Sequence, residues 1–206
     1  MSSIILQGAG GHAKVLIDSA LAQGHTVECL FDPNGGDPLF GITIRKQHRP
    51  GDFPDAKMVV AIGDNALRKR IAEESQHPFG NIVHPSAMLS KYSTIGVGDV
   101  ILHRVIIQAA STIGSHVILN TGSQVDHDCV VGDFVHLGPG TVLCGRVHVG
   151  EGTFLGAGTT VIPGVKIGSW SILGAGSVVT EDIPDYVLAM GNPAKVVRSL
   201  SADRQV

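Results

Sequence analysis

Aromatic residues are scarce in this sequence. Six Phe, two Tyr and one Trp amount to 4% of 206 residues, yet the mean hydropathy is positive at +0.24. The interior must therefore be built from aliphatic side chains, which suits columns too narrow for rings. Cysteine is also rare. Cys29, Cys129 and Cys144 have neither the even count of a disulfide framework nor the spacing of a zinc site, so reduced thiols and no metal are expected. No apolar run approaches the roughly 18 residues that span a bilayer, and the first residues enter a strand pattern without a basic leader, so no membrane span and a cytoplasmic location are expected. A net charge of −3 and a pI near 6.3 argue against a nucleic acid partner.

What the sequence has instead is a strict period of six. From Val83 through Leu89, Ile95, Ile101 and Ile107 to Leu173 and Val179, an aliphatic residue returns at every sixth position, seventeen times in succession. Two places before many of these stands a small side chain, among them Ser111, Ser123, Thr141, Thr153 and Ser171, with Asp99 the one charged exception. Helices repeat near 3.6 and simple strands at 2, so a period of six points to the hexapeptide coils of a parallel β-helix. Gly96, Gly114, Gly132, Gly150 and Gly168 add a period of 18, which makes each coil a triangle of three short strands. A coil alone cannot bury its aliphatic residues, and stacking supplies both the core and the hydrogen-bonding partner.

Residues 1–82 read differently. Ile4-Ile5-Leu6-Gln7 runs into Gly8-Ala9-Gly10-Gly11-His12 and an amphipathic stretch to about Gln23; further apolar runs end at Asp32 and at Gly63. Alternating strand and helix predicts a small Rossmann-like α/β unit with its ligand at the carboxyl ends of the strands. Gly8, Gly10 and Gly11 leave backbone N–H groups open to a phosphate at a helix start, and Asp32 follows at the distance of the dinucleotide fingerprint. Only about eighty residues precede the repeats, so one nucleotide is a better fit than two.

Among ten histidines, His127 stands out because Asp126 and Asp128 flank it two positions past the core residue Val125. An outward neutral imidazole with a carboxylate on its other nitrogen can take a proton from an attacking amine; the competing reading is a solvated corner. His103, His116 and His148 fall at non-core positions and are expected to be outward and solvated, while His84, before Pro85, is expected to be structural.

The combination of Gly8-Ala9-Gly10-Gly11-His12-Ala13-Lys14, the segment Ala61-Ile62-Gly63-Asp64-Asn65 followed by Arg68, Val83-His84-Pro85-Ser86-Ala87 and the hexapeptide register resembles the bacterial sugar O- and N-acyltransferases. Within these it is most similar to the nucleotide-linked 4-amino-sugar N-acetyltransferases. The resemblance implies a left-handed helix over 83–206 with a C-terminal capping segment, homotrimers, acetyl-CoA as co-substrate without a metal, and an acceptor linked to UDP, GDP or dTDP and used for surface polysaccharide. It places the nucleotide-sugar on Gly8, Gly10, Gly11, His12, Asp32 and Gly63. It makes His127 the general base with Asp128 behind it, leaving Asp126 as a competing orienter. It puts His136 near the acyl group or the sugar, and the Gly145 N–H on the thioester oxygen. The CoA arm is expected over the bare backbone of Gly156, Ala157, Gly174 and Ala175, with Lys195 or Arg198 on its phosphates. Cys144 as an acyl-carrying nucleophile is the alternative to direct transfer, since the local sequence supplies it with no base. Sugar O-acetylation, as in sialic acid O-acetyltransferases, and a catalytically silent nucleotide-sugar-binding trimer are the alternative functions.

Overall fold

The computed structural model describes residues 2–49 and 51–200. The N-terminal part consists of β1 (Ser3–Gln7), α1 (Gly11–Ala22), β2 (Thr26–Phe31), β3 (Ile44–Arg45), β4 (Lys57–Val60) and α2 (Asn65–Glu74). Its four strands lie parallel in the order β3-β2-β1-β4. Because side chains alternate along a strand, Ile5, Cys29, Phe31 and Met58 face one way, under Phe53 and Phe79. Ile4, Leu6 and Val59 face the other, against Leu16 and Ile17 of α1, and this core continues without a break into Ile82, Val100, Leu102 and Ile118. Those last residues belong to the repeats, so the small sheet takes part of its second layer from the outside of the β-helix.

Each of the seventeen aliphatic positions is the second residue of a two-residue strand. The strands pair with those 18 residues on, for example Val100 with Ile118, His136 with Phe154 and Phe154 with Ile172, and form three parallel walls. The first wall runs from Ile82–Val83 to Ile172–Leu173, the second from Met88–Leu89 to Val178–Val179 and the third from Thr94–Ile95 to Lys166–Ile167. A hairpin, Val187–Gly191 with Ala194–Ser199, extends the first wall and covers its end.

The column of small residues carries the polar connections inside this core. The Ser111 hydroxyl accepts the Cys129 N–H at 3.0 Å and donates to the Asp126 carbonyl at 2.6 Å; Thr153 does the same with Ser171 and Gly168. Asp99 holds the Val117 N–H at 2.8 Å in the same way, but its Oδ2 is buried without a partner among the described residues. Burial pushes the Asp99 carboxyl up to about 8, so the charged exception of the sequence is largely neutral at pH 7.

Beside this shared core, α2 adds polar links between the two parts. Asn65 Nδ2 donates to Gly152 O at 2.9 Å and Lys69 Nζ reaches Glu151 Oε1 at 2.6 Å. His116 is here as well, which corrects the expectation that it is solvated. It is 7% exposed, stacked on Phe134 and edge-on to Phe79, because the N-terminal part covers the corner from which it projects. His103 stacks on His84 and approaches Asp18 at 3.4 Å, and of the three histidines expected to be outward only His148 is exposed.

Candidate active site

The glycine turn follows β1. Gly8 has φ +112°, and a Cβ there would lie 2.6 Å from Ile62 Cδ1 and 3.0 Å from Ala61 O, so the segment just after β4 and the turn geometry both require glycine. Asp32 holds the turn: Oδ2 accepts the Ala9 N–H at 3.1 Å while Oδ1 accepts the Asn34 N–H at 3.0 Å. Gly10 caps α1 with no side-chain hydrogen bond, and Gly10 and Gly11 face open space. An anion can therefore reach the first N–H groups of α1.

His12 points from this turn to the first wall, with its ring 6.4 Å from that of His136. His136 Nδ1 is 3.3 Å from Gly63 O, and its Nε2 is 3.3 Å from Asn120 Nδ2. Burial, followed by the charge of Arg68, pushes both imidazoles down to about 4, so both are neutral at physiological pH. Beside His136 opens a cavity of about 440 Å³ between the start of α2 and the first wall, lined among others by Asn65, Phe154, Trp170, Tyr186 and Arg198.

His127 occupies the corner between the second and third walls. Asp128, at φ +58°, turns its carboxylate back so that Oδ2 lies 2.7 Å from His127 Nδ1. Asp126 Oδ1 instead accepts the His127 main-chain N–H at 2.8 Å. Asp128 is thus the carboxylate on the ring, and Nε2 keeps its lone pair free for a proton. One coil on, a Cβ at Gly145 would come within 2.6 Å of His127 Nε2, so the ring lies directly over that glycine. The Gly145 N–H has no hydrogen-bond partner among the described residues. Gly145→Ala should therefore displace the ring and lower kcat by up to about 10²-fold, with the melting temperature little changed; unaltered turnover would mean that the ring position is unimportant.

The other expected positions divide. His136 does not share the His127 corner: it stands on the first wall, because nine residues are half of an 18-residue coil. Gly156 is not bare surface but buried, a Cβ there lying 2.6 Å from Ala175 N; Gly174 is half-buried under Met190, while Ala157 and Ala175 are exposed. These two glycines are accounted for by the packing of the next layer. Lys195 Nζ lies 3.0 Å from Glu181 Oε2, whereas Arg198 lines the cavity. Asn120, on Nε2 of His136, carried no signal in the sequence. Arg68 was visible only as the end of a motif.

Residues 3–75 match the PglD N-terminal domain family and residues 146–181 the bacterial transferase hexapeptide (six repeats) family. Over 117 residues the chain is 37% identical to UDP-N-acetylbacillosamine N-acetyltransferase of Bacillus subtilis (strain 168), a match that spans 50% of this chain and only 52% of that protein. A histidine-to-alanine variant of GDP-perosamine N-acetyltransferase from Caulobacter crescentus, solved with CoA and GDP-perosamine, is 40% identical with a TM-score of 0.89, covering 97% of this chain and 98% of its own. The acetyltransferase domain of PglB from Neisseria gonorrhoeae FA1090, solved with acetyl coenzyme A, is 33% identical with a TM-score of 0.89, covering 95% and 98%. The chain accordingly belongs to the hexapeptide-repeat N-acetyltransferases that carry a PglD-type N-terminal domain.

Proposed function

We propose that this enzyme transfers an acetyl group from acetyl-CoA to the amine of a nucleotide-linked 4-amino-sugar, by direct attack with His127 as general base. The observation that carries this is the Asp128–His127 pair set over Gly145: an oriented imidazole beside a free backbone N–H. The GDP-perosamine bound to the Caulobacter relative and the acetyl coenzyme A bound to the Neisseria relative support the two substrates. A cytoplasmic setting, where acetyl-CoA is made, belongs to this reading; no helix among the described residues is long and apolar enough to cross a membrane.

In this scheme residues 1–82 hold the nucleotide and residues 83–206 carry the transfer; 201–206 lie outside the described residues. The pyrophosphate lies on the α1 start at Gly10 and Gly11, with Gly8 and Asp32 shaping the turn and Gly63 beside it. The sugar extends to the prism. The amine nitrogen attacks the thioester carbon and passes its proton to His127 Nε2, while the charge on Asp128 stabilises the imidazolium. The Gly145 N–H donates to the oxyanion. The C–S bond then breaks, and the imidazolium proton goes to the departing CoA thiolate. The CoA arm runs over the exposed Ala157 and Ala175 and the cavity wall, with Arg198 placed for a phosphate. The free Cys144 thiol donates to no acceptor among the described residues, so no base is placed to take its proton.

His127 lies on one corner of the prism and His136 with its cavity on the opposite wall. Both serve one reaction if a neighbouring copy brings its first wall to this corner, so we assign a homotrimer with shared active sites. Met88 on the second wall, 66% exposed, supports a covered face there. Sedimentation at assay concentration should show a trimer, and an active monomer would refute the shared site.

Acetyl-CoA with a panel of UDP-, GDP- and dTDP-linked 4-amino-sugars, followed by release of the CoA thiol, tests the activity. Release only with hydroxyl acceptors would establish O-acetylation, and none with any acceptor a silent binding protein. Gly10→Val should weaken the nucleotide-sugar by about tenfold or more while leaving acetyl-CoA affinity nearly unchanged. The added side chain has room, so the fold is kept, but it covers the phosphate approach. Equal loss of both ligands by calorimetry would show that one site is misplaced.

A further inference from the structure

Arg68 is 1% exposed, and its guanidinium is met by carbonyl and amide oxygens rather than by a carboxylate in contact among the described residues. Nε donates to His116 O at 2.9 Å and Nη2 to Phe134 O at 2.7 Å, the corner residues of successive coils. The remaining N–H groups hold the segment before and at the start of α2: Ile62 O at 3.1 Å, Gly63 O at 3.4 Å and Asn65 Oδ1 at 2.9 Å. All five donors of the fork are thus used, across the junction of the two parts.

Gly63 O is shared. It receives Arg68 Nη1 and also faces His136 Nδ1 at 3.3 Å. On the other side of the ring, Asn120 is oriented by Thr121, whose N–H donates to its Oδ1 at 2.8 Å; Nδ2 is therefore the atom opposite His136 Nε2. With an acceptor at Nδ1 and a donor at Nε2, only the neutral Nδ1–H tautomer satisfies both partners. We infer that Arg68 is a positioning residue: by clamping the segment from Ile62 to Asn65 onto two prism corners it fixes Gly63 O on His136, and so holds that ring in its neutral Nδ1–H form at the edge of the cavity, with Nε2 accepting from Asn120. In that form Nε2 takes an N–H or O–H of a ligand only in exchange for Asn120 Nδ2, and the ring offers nothing to a group that only accepts. The charged and titratable groups around it, His12 from α1 and Arg68 from α2, both oppose its protonation. Its consequence for turnover rests on the reading of the site above, but the tautomer itself does not.

Protein labelled with ¹⁵N-histidine, without substrate, reports the tautomer in a long-range ¹H–¹⁵N correlation spectrum between pH 4.5 and 8, with His136→Gln identifying the signals. His136 should be Nδ1–H and neutral above about pH 5. In Arg68→Lys the ammonium cannot span the four residues before α2 and on the prism. There the ring should gain Nε2–H character, and KM should rise more than kcat falls. Should the lysine variant not fold, Asn65→Ala, which withdraws one acceptor from Nη2 together with the Nδ2 donor to Gly152 O, should shift the same signals in the same direction by less. An Nε2–H ring in the wild-type protein, or an unchanged ring in the folded variant, overturns the assignment. Failure of the acetylation assay alone would leave this spectrum intact.

Discussion

His127→Ala should lower turnover by about 10²- to 10⁴-fold, the range for loss of a positioned base, with little change in the binding of either substrate. The amine must lose a proton as its nitrogen bonds to carbon, and Nε2 is the open nitrogen of a ring whose Nδ1 is occupied by Asp128 at 2.7 Å. Neither bound substrate depends on that nitrogen before the proton moves, so the loss belongs in kcat. Asp128→Asn keeps a partner for the ring but removes the charge that stabilises the imidazolium, and should give a smaller loss with an altered pH–rate profile. Steady-state kinetics of both variants beside Cys144→Ala make the comparison. Near-normal turnover in His127→Ala together with none in Cys144→Ala would replace direct transfer by an acyl-cysteine route.

The second large effect concerns stability. The Asp99 carboxyl has its ordinary value of 3.8 moved up to about 8, with burial the largest cause, Asp133 pushing the same way and Arg68 opposing. The folded protein therefore binds this proton more tightly than the unfolded chain. Its stabilising effect is complete below about pH 4 and is lost as pH rises through 8, at up to about 1.4 kcal/mol per unit. Asp99→Asn keeps an oxygen for the Val117 N–H and cannot ionise. It should match the wild type near pH 4 and exceed it by on the order of a few kcal/mol at pH 8.5. Denaturant unfolding at the two pH values and equal protein concentration measures this. A difference that does not grow with pH would show that Asp99 is not the titrating group.

The β-helix was legible almost to the residue, because its period follows from strand geometry: every position from Val83 to Val179 in the six-residue register ends a strand. The glycine turn and α1 were legible for the same local reason. What failed was always a matter of what comes to lie on top. His116 occupies an outward position of its hexad, and its burial is caused by α2 and Phe79 from another part of the chain. Gly156 looked like open backbone until the following coil was placed beneath it. The separation of His127 from His136 follows from counting half a coil, since nine residues along the sequence carry the chain halfway around the prism. For Arg68 the partners lie 48 and 66 residues away, beyond any local pattern.

Pairing at a fixed step of 18 also decides which changes of length the chain can absorb. One extra residue inside a strand such as Phe154–Leu155 would exchange its inward and outward positions and put the error into every later layer unless a corner took it up. An insertion of 18 residues would leave every inward position inward and only lengthen the prism by one layer, about 4.8 Å. Growth by whole coils below the N-terminal part would therefore extend the lower first wall while leaving Gly63, His136 and Arg68 where they are. The repeat works as a length scale that can be lengthened in whole units without disturbing the junction above it.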